Sequence, residues 1–318
     1  VAALVTARAD LPASKQKVPA LLQARLRYGI VASHVLLPRQ TRQEKSRATY
    51  RFPGHHPPVL TDTHAHLDFP EFRDDVPAIL ARAAEAGVTR ILTIGTGIES
   101  SRRAVTLAEK WPQVWAVAGI HPNHVPDEQP DFLPMLREIA TDSPRIAAIG
   151  ETGLDYFRLK QDDAASRAAQ AAAFRAQLDL ASELTLPVII HERAAWDDTL
   201  AILREYTGRV RAVFHCFGKG PDHATEVLAL GHLVSFTGIV TFKNAPDAQA
   251  SAASVPLGSF MVETDCPFLA PVPHRGKRCE PAFVRHTAEH IAKLRGISLR
   301  ELATATEATA EKFFRFSP

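Results

Sequence analysis

The segment VLTDTHAHLDF, Val59–Phe69, starts as a short apolar run, passes through Asp62 and closes on two histidines, His64 and His66, two residues apart. Side chains two apart on an extended strand point to one face. Both imidazoles can therefore converge on one ion, with Asp62 in line behind them. The pair alone decides little, because 14 histidines in 318 residues give about 0.6 His-x-His pairs by chance. Its meaning rests on whether the rest of the chain repeats an apolar strand ending in polar residues.

The pattern does repeat. VLTDTH, VTRILTIG, VWAVAGIH, RIAAIGE, LPVIIH, RVRAVFH, HLVSF and SFMVETD alternate with Ala/Leu-rich segments of helical length such as DAASRAAQAAAFRAQLDLASEL, Asp163–Leu184. Eight β-then-α units over about 260 residues predict a (β/α)8 TIM barrel, with a doubly wound open sheet as the alternative. The runs end in His64 and His66, His121, Glu151, His191, His215 and Asp265, and the remaining two end in Gly95-Thr96 and Ser235. In a parallel barrel all eight ends lie on one face, where such folds carry their catalytic groups. One strand-terminal His or Glu reads equally well as a helix cap or a backbone partner. Six at matching positions point to a shared pocket.

Six imidazoles and carboxylates are too many for one tetrahedral ion and enough for two sharing a carboxylate. Glu151 is the natural shared ligand. His64, His66 and Asp265 would complete one site, and His191 with His215 the other. This donor set suits Zn, Mn, Ni, Co or Fe, and a carboxylate-rich site also takes Mg. Asp265 is placed to act as general base toward an activated water, which is chemistry for esters, amides or phosphodiesters. His121, in GIHPNH, is expected to face substrate or support the site. Glu263 is expected to be an orienting carboxylate sharing the face of Asp265.

The net charge of +2 hides an asymmetry. Residues 1–58 hold ten Lys/Arg and two Asp/Glu, a balance of +8, which leaves −6 for residues 59–318. The basic segment ends in a Pro-rich stretch. It reads as a low-order extension, with a helix near Ala20 to Arg27, serving either as a targeting segment or as a dispensable extension from a mis-assigned start. Cys216, Cys266 and Cys279 are few and widely spaced, without a Cys-x-x-Cys pair, as expected of a reducing, cytoplasmic setting. Cys216 and Cys266 read as small buried hydrophobes. No apolar run approaches the roughly 18 residues of a membrane span, and no obligate protein partner is evident.

DTHAHLD, GIHP, GETGLDY, PVIIHERA, FHCFGKG, SFTGIVTFKNA and VETDCPFLAPVPHRGKRCEPAFV occur in this order, and from about residue 59 to the end the chain resembles the TatD family of metal-dependent DNases, among the amidohydrolase-like barrels. The resemblance implies His64, His66, Glu151, His191, His215 and Asp265 as ligands of two divalent ions (Mg, Zn or Mn). It also implies hydrolysis of DNA phosphodiesters, on single strands from the 3′ end. Family members usually carry Asp at Ala195, a second His at Asn123 and Asn at Cys279, which puts substrate contacts in question while sparing the six ligands.

The run PHRGKR places His274, Arg275, Lys277 and Arg278 after the last strand as candidate phosphate contacts, against the reading of a solvated basic loop. The alternative function on the same barrel is an amidohydrolase or a D-aminoacyl-tRNA deacylase. A silent scaffold is disfavoured by the intact ligand set. One expectation follows from the charge asymmetry: a chain beginning at Val59 should fold and turn over as the full chain does. Insolubility or a collapsed melting temperature of the shortened chain would show that the extension packs on the barrel.

Overall fold

Valine, isoleucine, leucine and alanine fill the strands, whose backbones are buried on both sides as a parallel sheet requires. They are β1 (Leu60–Ala65), β2 (Val88–Ile94), β3 (Val114–Ala118), β4 (Ile146–Asp155), β5 (Val188–Arg193), β6 (Ala212–Phe214), β7 (Leu233–Phe236) and β8 (Phe260–Val262). This computed structural model describes residues 58–160 and 163–316; apart from Pro58, the extension expected over residues 1–58 lies outside them. All strands pair in parallel and in sequence order. The first and last meet at a parallel bridge between Ala65 and Cys266, reinforced by His66 N–H to Cys266 O and Asp265 N–H to His64 O, each 2.8 Å. The result is the expected TIM barrel. The order never reverses, which excludes the doubly wound alternative.

Helices α1 (Val76–Glu85), α2 (Ile98–Lys110), α3 (Leu133–Asp142), α4 (Ala164–Leu184), α5 (Trp196–Glu205), α6 (Pro221–Ala229), α7 (Pro246–Ser254) and α8 (Val284–Arg295) follow the eight strands in turn, and α9 (Leu299–Phe314) ends the barrel. The long α4 starts where Asp163 accepts the Ser166 N–H and stops at a left-handed Thr185. Its buried face, Gln170, Ala173, Phe174, Gln177, Leu178 and Ala181, keeps the three-to-four spacing. Alternation along the strands separates two cores. Ile91, Val114, Val188, Ala212 and Phe260 pack outward against the helices. Leu92, Ile94, Trp115, Val117, Ile189, Val213 and Met261 fill the barrel interior, closed from below by Phe313 and Phe314 of α9.

Local chemistry decides how the upper strand ends meet. A Cβ on Gly119 would lie 2.4 Å from the carbonyl of Gly150, so only glycine lets β4 approach the end of β3 and aim Glu151 inward. Gln177 reaches over from α4. Its Oε1 accepts the Ile120 N–H at 2.8 Å, and its Nε2 donates to Ile120 O and Thr152 Oγ1, which fixes the segment leading into His121. Asp62 lies at the seam, accepting from Thr264 N at 2.9 Å and Thr264 Oγ1 at 2.6 Å. It closes the barrel instead of lining up behind the histidines.

Three boundaries differ from the sequence reading. β3 ends at Ala118, so His121 sits on the following loop, its N–H bonded to Thr96 O. β6 ends at Phe214, and Cys216 adopts a left-handed φ of 49°, so strand alternation does not continue past His215. β8 ends at Val262, and Asp265 is also left-handed, at φ 59°, so Glu263 and Asp265 do not share a face by alternation.

At the lower end, His232 is buried, and its Nδ1 accepts the Ala212 N–H at 3.3 Å. An acceptor at Nδ1 leaves the hydrogen on Nε2, so the folded chain holds a neutral ring, and burial pushes its pKa down to about 4. The unfolded ring protonates near its model value of 6.5, so between those values the unfolded state binds more protons. The contribution is complete above about 6.5 and is lost as pH falls toward 4. His232→Asn places Oδ1 where Nδ1 stands. The wild type should therefore lose about 2–3 kcal/mol more than this variant between pH 7.5 and 4.5, at roughly 1.4 kcal/mol per pKa unit, as read by urea unfolding at both pH values.

Candidate metal centre

Seven residues at or just beyond the strand ends, His66, Thr96, His121, Glu151, His191, His215 and Asp265, line one cavity of about 620 Å³ at the C-terminal face of the barrel, and His64 is buried beside it. Glu151, buried on β4, stands at its centre and divides its two oxygens between two sets of imidazoles. Oε2 lies 3.4 Å from His64 Nε2 and 3.9 Å from His66 Nε2. Oε1 lies 2.7 Å from both His191 Nδ1 and His215 Nε2. Asp265 Oδ1 completes the first set at 3.3 Å from His66 Nε2 and 3.7 Å from His64 Nε2. Within each of the sets His64, His66, Glu151; His64, His215, Asp265; and His121, Glu151, His191, one donor atom per residue lies within 4.8 Å of the others. The structure thus brings together all six residues that the sequence singles out.

Contacts on the far side of three of the rings show which nitrogen faces the centre. His66 Nδ1 lies 3.2 Å from Ile94 O, a group that can only accept, so the hydrogen is on Nδ1 and Nε2 offers its lone pair. His191 Nε2 faces Asp155 Oδ2 at 3.3 Å, leaving Nδ1 toward Glu151. His215 Nδ1 lies 3.6 Å from Glu263 Oε1, leaving Nε2 toward Glu151. Both nitrogens of fully buried His64 lack a hydrogen-bond partner among the described residues, as does His215 Nδ1. A buried imidazole without partners is costly, and a carboxylate or carbonyl behind each ligating ring is the usual support of a metal-binding histidine. The residues present fit divalent ions.

His121 behaves differently. Its Nδ1 accepts the Asn123 N–H at 3.1 Å, so the neutral ring carries its hydrogen on Nε2, which faces Glu151 Oε1 at 3.7 Å. Burial holds its pKa near 3. His121 is therefore a hydrogen-bond donor at the cavity wall, matching its expected place beside the ligands.

The cluster is strongly polarised. Burial pushes the Glu151 carboxyl up, but His215 and His191 outweigh that and hold it well below the usual range. Asp265, raised by burial and lowered more by His66, His64 and His215, also ends below its ordinary value. His64, fully buried and beside His215, is pushed down, whereas Glu151 drives His215 well up. Burial pushes the Cys216 thiol up to about 12. Cys216 lines the cavity, against its expected burial, whereas Cys266 and Cys279 are fully buried.

Glu263 does orient, but from a loop after β8. It accepts Cys216 N–H and Ser235 Oγ–H, both at 2.6 Å, which fixes it against His215. Asp155, which the strand-end reading passes over, holds His191 and is itself held by Asn123 Nδ2 at 2.8 Å. Its signal is present in GETGLDY, since 151, 153 and 155 alternate along β4. Of the three departures from the family pattern, only Asn123 lines the cavity.

The basic loop lies elsewhere. None of His274, Arg275, Lys277 and Arg278 lines the cavity. His274 stacks on Phe283 at 3.9 Å, Arg275 lies over Phe242 at 3.6 Å, and Arg278 pairs with Asp75 at 2.6 Å. Lys277 is exposed. The cations that do line the cavity are Arg158 and Arg193, on the loop after β4 and the end of β5. No helix among the described residues is long and apolar enough to cross a membrane.

Residues 61–315 match the family model described as TatD related DNase. The chain is 36% identical over 260 residues to the uncharacterized metal-dependent hydrolase YabD of Bacillus subtilis, covering 81% of this chain and all of that relative. It is 35% identical over 262 residues to the 3'-5' ssDNA/RNA exonuclease TatD of Erwinia tasmaniensis, covering 80% of this chain and 99% of that one. The crystal structure of YJJV, a TatD homolog from Escherichia coli K12, superposes with a TM-score of 0.75 at 31% identity, covering 81% of this chain and 98% of the other. With this barrel, this ligand cluster and a match running almost from the first strand to the last helix, the chain belongs to the TatD-related DNase family.

Proposed function

We propose that the protein is a metal-dependent phosphodiesterase acting on single-stranded nucleic acid from its 3′ end, with His64, His66, Glu151 and Asp265 holding one divalent ion and Glu151, His191 and His215 a second. The observation that carries this reading is the division of the Glu151 oxygens between two sets of correctly oriented imidazoles. Relatives named as metal-dependent hydrolases and as ssDNA/RNA exonucleases support it. When bound, Mg, Zn or Mn would supply Lewis-acid polarisation of a phosphoryl oxygen and make water more acidic. Asp265 would hold the ion through Oδ1, and its second carboxylate oxygen accepts the proton that water releases as its oxygen bonds to phosphorus and the ester oxygen leaves. His121 Nε2–H donates to the substrate's phosphoryl oxygen, and Glu263 and Asp155 keep His215 and His191 in their ligating orientation. Arg158 and Arg193 take the place of the 274–278 loop as first candidates for phosphate contact.

Labelled single-stranded DNA and aminoacyl-tRNA, offered to chelated and to metal-reconstituted enzyme, test the reading. DNA cleavage should vanish on chelation and return with a divalent ion. Full cleavage in chelator would sink the mechanism, and turnover of aminoacyl-tRNA alone would move the protein to the deacylase reading. Asp265→Asn removes the proton acceptor and should lower turnover by about 10²–10⁴-fold while the melting temperature stays near that of the wild type. Cleavage by this variant at the wild-type rate would exclude Asp265 as the base.

A further inference from the structure

Among the described residues, only two aromatic side chains are exposed, Phe157 at 63% and Phe268 at 50%. Both stand on the C-terminal face, Phe157 after β4 and Phe268 after β8, and strands four apart in a closed eight-strand barrel lie on opposite sides of the mouth. Neither ring is taken up by the hydrophobic core.

The Phe268 wall is built twice by the same device. Three residues after His66, Phe69 N–H bonds back to His66 O at 3.2 Å; three residues after Asp265, Phe268 N–H bonds back to Asp265 O at 2.9 Å. The two turns set both rings beside His66, Phe268 at 6.4 Å. The Phe69 ring stacks on His66 at 4.6 Å, and Phe268 stands nearly perpendicular to Phe69, at 6.1 Å and 78°. Phe69 thus props a half-exposed ring upright at the lip of the cavity that both line.

The opposite wall is cationic. Arg158 lines the cavity without an ion pair or hydrogen bond to any described residue, and the Arg193 guanidinium lies 3.8 Å over the Phe157 ring. An aromatic wall facing a cationic one suits a ligand that is flat and apolar on one side and anionic on the other.

We propose that Phe268, propped by Phe69, is a nucleobase-stacking subsite and that Arg158 receives the phosphate backbone across the mouth, so that the enzyme selects unpaired strands by requiring a base free to leave its stack. This rests on the nucleic-acid reading above and adds its means of selection. A single protruding ring meets any base face, so the subsite discriminates single from double strands without reading sequence.

The test compares an intact single strand with one of equal length whose bases nearest the cleaved end are abasic, using metal-loaded wild type, Phe268→Ala, Phe268→Trp and Arg158→Gln. Phe268→Ala should raise KM about 5- to 150-fold on the intact strand, the effect of one lost stacked base, and leave the abasic strand unchanged. Phe268→Trp should retain intact-strand binding, which a merely structural role for Phe268 would not produce. Arg158→Gln should weaken both strands alike and lower the slope of log affinity against log salt by about 0.7. Equal losses on both strands for Phe268→Ala, or no loss on either, would overturn the subsite while leaving the nuclease intact. If wild type cleaves neither strand, the nucleic-acid reading falls and the subsite with it.

Discussion

The barrel closes by two backbone hydrogen bonds, His66 N–H to Cys266 O and Asp265 N–H to His64 O, and the buried bonds from Thr264 to Asp62 lock the same seam. These contacts join residues about two hundred positions apart, and the centre depends on them. Without the seam, His64 and His66 would face a carboxylate from β4 alone, and Asp265 would stand on a free loop. The left-handed turn at Asp265 is tolerated because both its neighbours are tied to the first strand.

Once the seam is fixed, electrostatics does the rest. Glu151 is a buried carboxylate that would be raised in isolation, yet the rings around it hold it ionised, and it in turn raises His215. Three of the four rings also have a polar group behind them: the Ile94 carbonyl behind His66, Asp155 behind His191 and Glu263 behind His215. The outer carboxylates are bound in turn, Asp155 by Asn123 and Glu263 by Cys216 N–H and Ser235. The centre is therefore rigid on its protein side and open only toward the cavity mouth, as a site that orients a reacting group requires.

Much of this is legible in the sequence because strand period and strand end are local properties. The eight apolar runs, the His-x-His pair and the residues closing each run required no knowledge of packing, and the barrel rule alone placed them on one face. What failed were local extrapolations beyond a strand end. Glu263 and Asp265 read as sharing a face if alternation continues past β8, but the chain turns left-handed at Asp265, where pairing has stopped. The basic run at 274–278 reads as a phosphate site from composition, but Phe283, Phe242 and Asp75 already engage His274, Arg275 and Arg278.

By itself, the order of residues determined the fold class, the six groups that meet and the kind of ion they suit, because hydrophobic period and ligand type are carried by single residues and their neighbours. The tertiary structure alone decided which nitrogen of each imidazole faces the centre, that His121 donates, that Asp155 and Asn123 belong to the site, and which cations and rings border its mouth. Those outcomes depend on partners that approach through space from other strands. No spacing along the chain encodes a distance between residues brought together only when the barrel closes.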